Sequence, residues 1–381
     1  MRAPAAPTAD HGLSDEQRAF VESMRDFCAR ERWETADDDH HSDEVARKMA
    51  ELGWWGLQIP EEYGGSGGSF LDATLFLEET ARGRAPVAGY GVTLIVVGAL
   101  NRFGSEEQKR ELLARVAGEG SVLAIAMSEP DAGSDVAALK TRARRENGEW
   151  VLDGAKMWCS YAHRASHILI VCRTGEPDGR HDGMSMILVP REAAGLTITP
   201  IATMGGEETN EHHLDGVRVP QNALLGSEGG GWTQLMAGLN YERVILAATA
   251  LGLGQRTFDD ALAYAKERRQ FGRPVGSFQA ISHRFADLAT ALAQARLLVR
   301  WVARLTDDDP GRLLPQEASM AKLAATEVAK RCALDGVQIM GGYGYASEYP
   351  MESYLRSAVV GTIYGGTSEI QRNIIAKTLG L

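Results

Sequence analysis

Positive charge is in short supply. Lys and Arg total 40 against 51 Asp and Glu in 381 residues, a formal net charge of −11. A nucleic-acid binder needs a basic footprint, so this balance argues against one. Long apolar runs are missing too: none approaches the roughly 18–20 residues of a membrane span. Residues 1–13 lack both a basic and an apolar stretch, and no secretory signal is expected there. The four cysteines (Cys28, Cys159, Cys172 and Cys332) form no CxxC pair. That predicts a reducing, cytoplasmic setting with no disulfide framework. Walker, strand-then-GxGxxG and HExxH patterns are absent, as is the GxSxG elbow of a serine hydrolase. His212-His213 is the one tempting metal pair. Neighbouring residues of a strand point to opposite faces, which speaks against it.

What is present is an ordinary soluble mix, 44% hydrophobic and 24% charged, long enough for two or three domains. Three territories follow one another. Residues 1–120 read as helical. Ser14-Asp-Glu-Gln17 and Ser105-Glu-Glu-Gln108 are capping-box starts, and Phe20, Val21, Met24 and Phe27 recur at helical spacing. The charged Asp37–His41 cluster reads as a solvated turn, and Tyr63-Gly-Gly-Ser-Gly-Gly-Ser69 as a flexible loop. Residues 121–228 change texture. Short β-branched runs (Trp150–Leu152, His167–Val171, Met184–Val189, Leu196–Thr199, Val217–Val219) are separated by the turn dipeptides Asn147-Gly148 and Asp153-Gly154. That pattern predicts a small sheet or barrel. Residues 229–381 return to longer helices, expected at about 231–268, 278–305, 315–340 and 367–379, which suggests an antiparallel bundle.

One residue stands out inside that third territory. Leu235, Leu239, Glu242, Leu246 and Leu253 share a helical stripe, and Val244–Leu253 is almost wholly apolar. Burying a carboxylate is unfavourable unless it is paired or protonated. Desolvation raises its pKa, which suits a general base near neutrality. A structural ion pair with an arginine is the alternative reading.

Three stretches carry a family likeness: Ala126-Met-Ser-Glu-Pro-Asp-Ala-Gly-Ser-Asp135, Gln338-Ile-Met-Gly-Gly-Tyr-Gly-Tyr345 and Gly366-Thr-Ser-Glu-Ile-Gln-Arg372. Between them lie Lys156-Met-Trp-Cys-Ser160 and Glu267-Arg-Arg-Gln-Phe-Gly272, with Phe278-Gln279. In this order the chain, over residues 14–381, resembles the acyl-CoA dehydrogenase family. The resemblance implies an α+β, mostly helical fold: an N-terminal helical domain, a middle β domain and a C-terminal four-helix bundle. It also implies FAD as cofactor. Met127, Ser128, Trp158 and Ser160 resemble the flavin-facing groups, and Ser134 a contact for the pyrophosphate or the CoA chain. Arg268, Gln270, Phe271, Gln279, Gln338, Gly341 and Gly342 resemble groups that hold the ADP half across a subunit interface. Thr367 and Glu369 open the last helix, whose free N–H groups suit part of the cofactor.

The catalytic base departs from the commoner pattern. Much of the family places a Glu just before the final Gly-Thr, and here Gly365 stands there. A minority branch, with isovaleryl-CoA and long-chain members, carries the Glu on the bundle helix before an Arg. This chain has Tyr241-Glu242-Arg243 at that place. The resemblance therefore implies Glu242 as base, with the Gly365 N–H available to the thioester oxygen. Arg243 resembles a residue near CoA. Leu239, Tyr241 and Tyr364 are taken as pocket residues by proximity. Further departures are the acidic stretch Glu207, Glu208 and Glu211, Ser357 after Arg356, and Ser353. The implied reaction is acyl-CoA to enoyl-CoA, in fatty acid or lipid metabolism, with an electron-transfer flavoprotein as acceptor. A homo-oligomer, a dimer of dimers, is expected. Three alternatives stay open: a dehydrogenase of a carrier-protein-bound acyl or aminoacyl group in specialised metabolism, an oxidase, and a non-catalytic partner subunit of a hetero-oligomer.

Overall fold

The computed structural model describes residues 11–31, 41–175 and 180–381. Most of the Asp37–His41 cluster lies outside the described residues. The chain divides into two compact units.

The helical unit takes the described residues up to 31, with 70–85 and 242–381. Its first helix, Asp15–Glu31, starts on the expected box: Ser14 Oγ accepts from Gln17 N at 3.1 Å, and Ser14 N donates to Gln17 Oε1 at 3.2 Å. The bundle helices run Gly231–Glu267 (in this unit from Glu242), Gln279–Asp308, Pro315–Met340 and Ser368–Thr378. All four fall close to the expected bounds. Pro315 sits in the first turn, where its missing N–H is harmless. Thr367 caps the last helix by accepting from Ile370 N at 3.2 Å. A helix at Met351–Gly361 was not expected. It contributes Met351 and Tyr354 to a core cluster with Ala261, Ala265, Phe285, Ile339 and Met340. Gly252 is needed where the first bundle helix crosses Phe70–Gly83, because a Cβ there would collide with the Glu78 carbonyl.

The second unit takes the described residues of 41–69 and 86–241. Among its described residues an eight-stranded sheet forms. Its order is Leu196–Thr203, Gly206–Pro220, Glu149–Ser160, Arg142–Glu146, His167–Arg173, Met184–Pro190 and Leu224–Leu225, with Leu123–Ala126 parallel to His167–Arg173. Ile168 to Cys172 are all fully buried, so this strand is covered on both faces and its sequence runs apolar rather than alternating.

The two turn dipeptides behave differently. Asn147 and Gly148 have φ of 53° and 85° and join Arg142–Glu146 to Glu149–Ser160, as a two-residue hairpin requires. Asp153-Gly154 is no turn. It lies within the Glu149–Ser160 strand, at a register shift between Leu152 and Gly154. A Cβ on Gly154 would come within 2.6 Å of Thr141 Oγ1, so the glycine marks a bulge under close approach.

Two first-territory readings are corrected. Residues 63–69 are not loose: Gly65 N, Ser66 N, Gly67 N and Gly68 N bond back to Pro60 O, Gly56 O, Ile59 O and Leu57 O. Those bonds satisfy the glycine-rich backbone, a pattern side-chain periodicity does not register. His41 is buried rather than solvated. Its Nδ1 accepts from Gly89 N at 3.3 Å, and its ring lies 5.9 Å from Trp55 and 5.7 Å from Tyr161. His212 and His213 do face opposite ways, His212 buried and His213 exposed.

Candidate active site

Glu242 is 7% exposed, on a helix whose neighbouring Val244, Ile245, Ala247, Ala248 and Leu251 are buried. Its Oε2 is buried with no hydrogen-bond partner. Burial pushes the carboxyl up to about 7, against the opposing charges of Arg243 and Lys322. The Gly365–Gly366 turn packs against it. A Cβ on Gly365 would stand 3.6 Å from Glu242 Oε1 and would collide with Leu246 Cδ1. Both glycines have positive φ, 58° and 82°. Tyr364 precedes the turn, its hydroxyl pushed up to about 12 by burial and by the Glu242 charge. The structure thus brings Glu242, Arg243, Tyr364 and Gly365 together.

Two residues here were not anticipated. Gln371 Nε2 donates to Gly365 O at 3.0 Å and to Gly366 O at 2.8 Å. Lys322, fully buried on Pro315–Met340, donates from Nζ to Gly366 O at 2.9 Å and lies 5.9 Å from the Tyr364 ring centre. The only sequence signal for Lys322 was its setting among small residues (Ala318, Ser319, Ala321, Ala325), which leave room for a neighbour to cover it.

The other residues of the helical unit lie on its surface. Phe271 is 93% exposed with φ 51°, at the tip of the hairpin of Arg269–Gln270 and Arg273–Pro274. Arg268 lies over the Tyr343 ring at 5.5 Å. Gln270, Gln279, Gln338, Gly341 and Gly342 are exposed, and no atom stands within 4 Å of a Cβ placed on either glycine. Thr367 and Glu369 line a surface groove with Lys330 and Ile363.

In the sheet unit, Met157 N donates to Ser128 O at 2.9 Å. The Met127–Ser128 and Trp158–Ser160 segments therefore run side by side. Between Lys156 and Cys159 the strand bulges, and Trp158 at that bulge is 56% exposed with φ 64°. Ser160 is half-buried and Ser134 exposed. Beneath the surface, Lys156 Nζ bonds Glu129 Oε1 at 2.8 Å and Met127 O at 3.0 Å. The Glu129 carboxylate also accepts from Lys140 N at 2.6 Å and Thr141 N at 2.8 Å. Leu239 is half-buried, and Tyr241 donates its hydroxyl to Gln58 Oε1 at 2.6 Å. Of the acidic stretch, Glu207 and Glu211 face solvent and Glu208 is half-buried.

Each unit thus carries a feature of its own, a sequestered carboxylate in the helical unit and an exposed tryptophan in the sheet unit. Three family models match, described as the acyl-CoA dehydrogenase N-terminal (residues 14–119), middle (124–217) and C-terminal (229–380) domains. The chain belongs to the acyl-CoA dehydrogenase family. It is 38% identical over 379 residues to an acyl-CoA dehydrogenase of Bacillus subtilis, covering 96% of this chain and 98% of that one. Among solved structures it is similar to glutaryl-coenzyme A dehydrogenase in complex with glutaryl-CoA, at TM-score 0.91, 33% identity and 97% of both chains. It is also similar to the prolyl acyl carrier protein oxidase AnaB, at TM-score 0.92, 28% identity, 97% of this chain and 100% of that one.

Members of this family are FAD-dependent flavoproteins. The residues present fit that cofactor. A large aromatic face is held out to solvent in a strained backbone conformation at Trp158, on a segment that pairs through Met157 N with Ser128 O. Gly341 and Gly342 offer backbone with open space above it, and Arg268 offers a guanidinium fork suited to pyrophosphate.

Proposed function

We propose that this chain is an FAD-dependent dehydrogenase of an acyl thioester, in which Glu242 takes the α-proton as general base. The observation that carries the reading is the Glu242 carboxylate itself, buried, with Oε2 unpartnered and its proton affinity raised to about 7. A base poised there is half-ionised at neutral pH and strong enough to share a Cα proton made acidic by the thioester. Gly365 supplies a backbone N–H toward the thioester oxygen, where enolate charge develops. Tyr364, Leu239 and Tyr241 line the acyl group, and Arg243 lies toward CoA. Met127, Ser128, Trp158 and Ser160 hold the ring of the flavin. Ser134, Arg268, Gln270, Phe271, Gln279, Gln338, Gly341, Gly342, Thr367 and Glu369 hold the rest of it. The bound flavin supplies the acceptor for the β-hydride. The domains follow the three territories, 1–120, 121–228 and 229–381. The enzyme works as a cytoplasmic homo-oligomer and passes its electrons to an electron-transfer flavoprotein.

The test is Glu242→Gln, which keeps shape and removes the base. Flavin content is expected to be normal, and the rate of flavin reduction by acyl-CoA to fall by roughly 10²–10⁴-fold, the weight of a positioned base. Retention of most activity would remove Glu242 from the role. The likeness to a prolyl acyl carrier protein oxidase favours one second reading, a carrier-bound acyl or aminoacyl substrate. CoA and a carrier share the pantetheine arm. Parallel assays with acyl-CoA and acyl-carrier forms, read by flavin bleaching and by peroxide in air, separate the two.

A further inference from the structure

Lys322 is buried completely, yet its ammonium makes a single hydrogen bond, to Gly366 O at 2.9 Å, and no ion pair within 4.0 Å among the described residues. An ammonium carries three donors. Burying one with a single neutral acceptor is unfavourable and calls for a reason. Its surroundings supply one. The carbonyl it holds belongs to the Gly365–Gly366 turn, the same turn whose other carbonyl and its own are bonded by Gln371 Nε2. That turn packs on Glu242 and Leu246. With both carbonyls tied off by side chains, the turn is held in its positive-φ conformation by Lys322 and Gln371 together.

We propose that Lys322 is a positioning residue for Glu242: its buried ammonium pins the Gly365–Gly366 turn beside the carboxylate and supplies the cation that this pocket sets against the carboxylate's charge. The inference rests on Glu242 being the base, and it adds what sets that base's strength. Electrostatics agree with the geometry. Burial brings the Lys322 ammonium down to about 8, while the Glu242 charge holds it up. Burial pushes Glu242 to about 7, while Arg243 and Lys322 hold it down. The remaining charged or titratable groups in the surroundings are Tyr364 from the turn, Glu327 on the lysine's own helix and Glu369 from the last helix. None of these three is a cation. Among the described residues, Arg243, next in sequence to the carboxylate, and Lys322 are the positive charges that act on it.

Lys322→Gln separates the two contributions, since glutamine can still donate to Gly366 O but carries no charge. The protonated-carboxyl infrared band of Glu242, identified by its absence in Glu242→Gln, is titrated in the purified holoenzyme. In Lys322→Gln its midpoint is expected to move up by about one pH unit, a tenfold change in proton affinity. The acidic limb of the kcat profile should move with it, while KM for acyl-CoA changes less than threefold. Lys322→Arg, which keeps the charge, should return the midpoint to within a few tenths of the parent. An unmoved midpoint in folded Lys322→Gln overturns the proposal, as does an equal shift in Lys322→Arg. If Lys322→Gln does not fold, the Lys322→Arg midpoint and profile decide alone: coincidence with the parent supports the charge role, and an upward shift overturns it. Failure of the base reading is distinguishable, because Glu242→Gln would then stay active whatever the infrared midpoints do.

Discussion

A side-chain carbon on Gly365 would stand 3.6 Å from Glu242 Oε1. The position where much of the family carries a glutamate, and the helix position where this chain carries one, therefore face each other across a few ångströms. The same carbon would collide with Leu246 Cδ1, and Gly365 has φ 58°. Glycine is thus required on two counts, backbone and space. Gly365→Ala is expected to lower stability by about 2 kcal/mol, roughly half from the left-handed conformation and half from crowding. Flavin reduction should fall by on the order of 10²-fold as the turn shifts. Leu246→Ala removes the collision but not the strain, so the double variant should recover part of the melting temperature. Full additivity of the two losses would refute the shared space.

The raised proton affinity of Glu242 makes a pH-dependent claim about stability. Its folded value is about 7 against 4.5 for an unperturbed carboxyl. The folded state therefore favours the protonated form. That preference is fully present below pH 4.5 and is lost as pH rises through 7. In Glu242→Gln the dependence disappears. The variant's stability relative to the parent should accordingly be flat below pH 4.5, climb between 4.5 and 7, and level off above. The total rise is on the order of 3 kcal/mol, from 1.36 kcal/mol per unit. Urea unfolding of both proteins at pH 4, 5.5, 7 and 8 reads the curve. A flat difference across that range would mean that the carboxylate is solvated or paired.

How far the site was legible in sequence varies with how local its causes are. The Glu242 stripe is a property of one helix, and periodicity alone shows it. So are the Ser14 and Ser105 caps, both of which form with the expected reciprocal bonds. The Gly365 departure needed a family pattern, since a glycine in Tyr364-Gly-Gly-Thr367 has no local signature of what it faces. Lys322 had no signal beyond its small neighbours. A lysine in an alanine-rich helix ordinarily points to water, and only the approach of residues 364–371, over forty positions away in sequence, buries it. Asp153-Gly154 misled for the opposite reason. Asp-Gly is a strong turn signal, yet pairing with Gly206–Pro220 on one side and Arg142–Glu146 on the other carries the strand straight through it.

Lys156 and Glu129 form a buried pair on which the proposed flavin-facing segment hangs. Burial pushes Glu129 up, but the Lys156 ammonium and the hydrogen bonds to the carboxylate win and hold it below the ordinary value. Its stabilising contribution is therefore present above pH 4.5 and lost as pH falls below that. Lys156→Met leaves the carboxylate buried with only its backbone partners, and should cost about 3 kcal/mol. Adding Glu129→Gln should recover part of this, because the stranded charge is gone. A double variant whose loss equals the sum of the two single losses would show that the two residues act separately.

Trp158 combines a left-handed backbone, φ 64°, with a ring that is 56% exposed. Neither feature helps the chain by itself: the conformation costs about 1 kcal/mol for a residue with a Cβ, and so large an apolar surface gains little in water. Both make sense if the ring is held out to cover a flat ligand. Trp158→Gly separates the interests of chain and cofactor. Glycine adopts φ 64° without strain, so the flavin-free variant should melt no lower than the flavin-free parent, despite the loss of a large side chain. The variant should at the same time retain FAD more weakly, by roughly tenfold or more, as read from flavin absorbance after gel filtration and from quenching of free-FAD fluorescence on titration. If the flavin-free variant melts well below its parent and FAD retention is unchanged, the tryptophan is a packing residue and the sheet's cofactor face lies elsewhere.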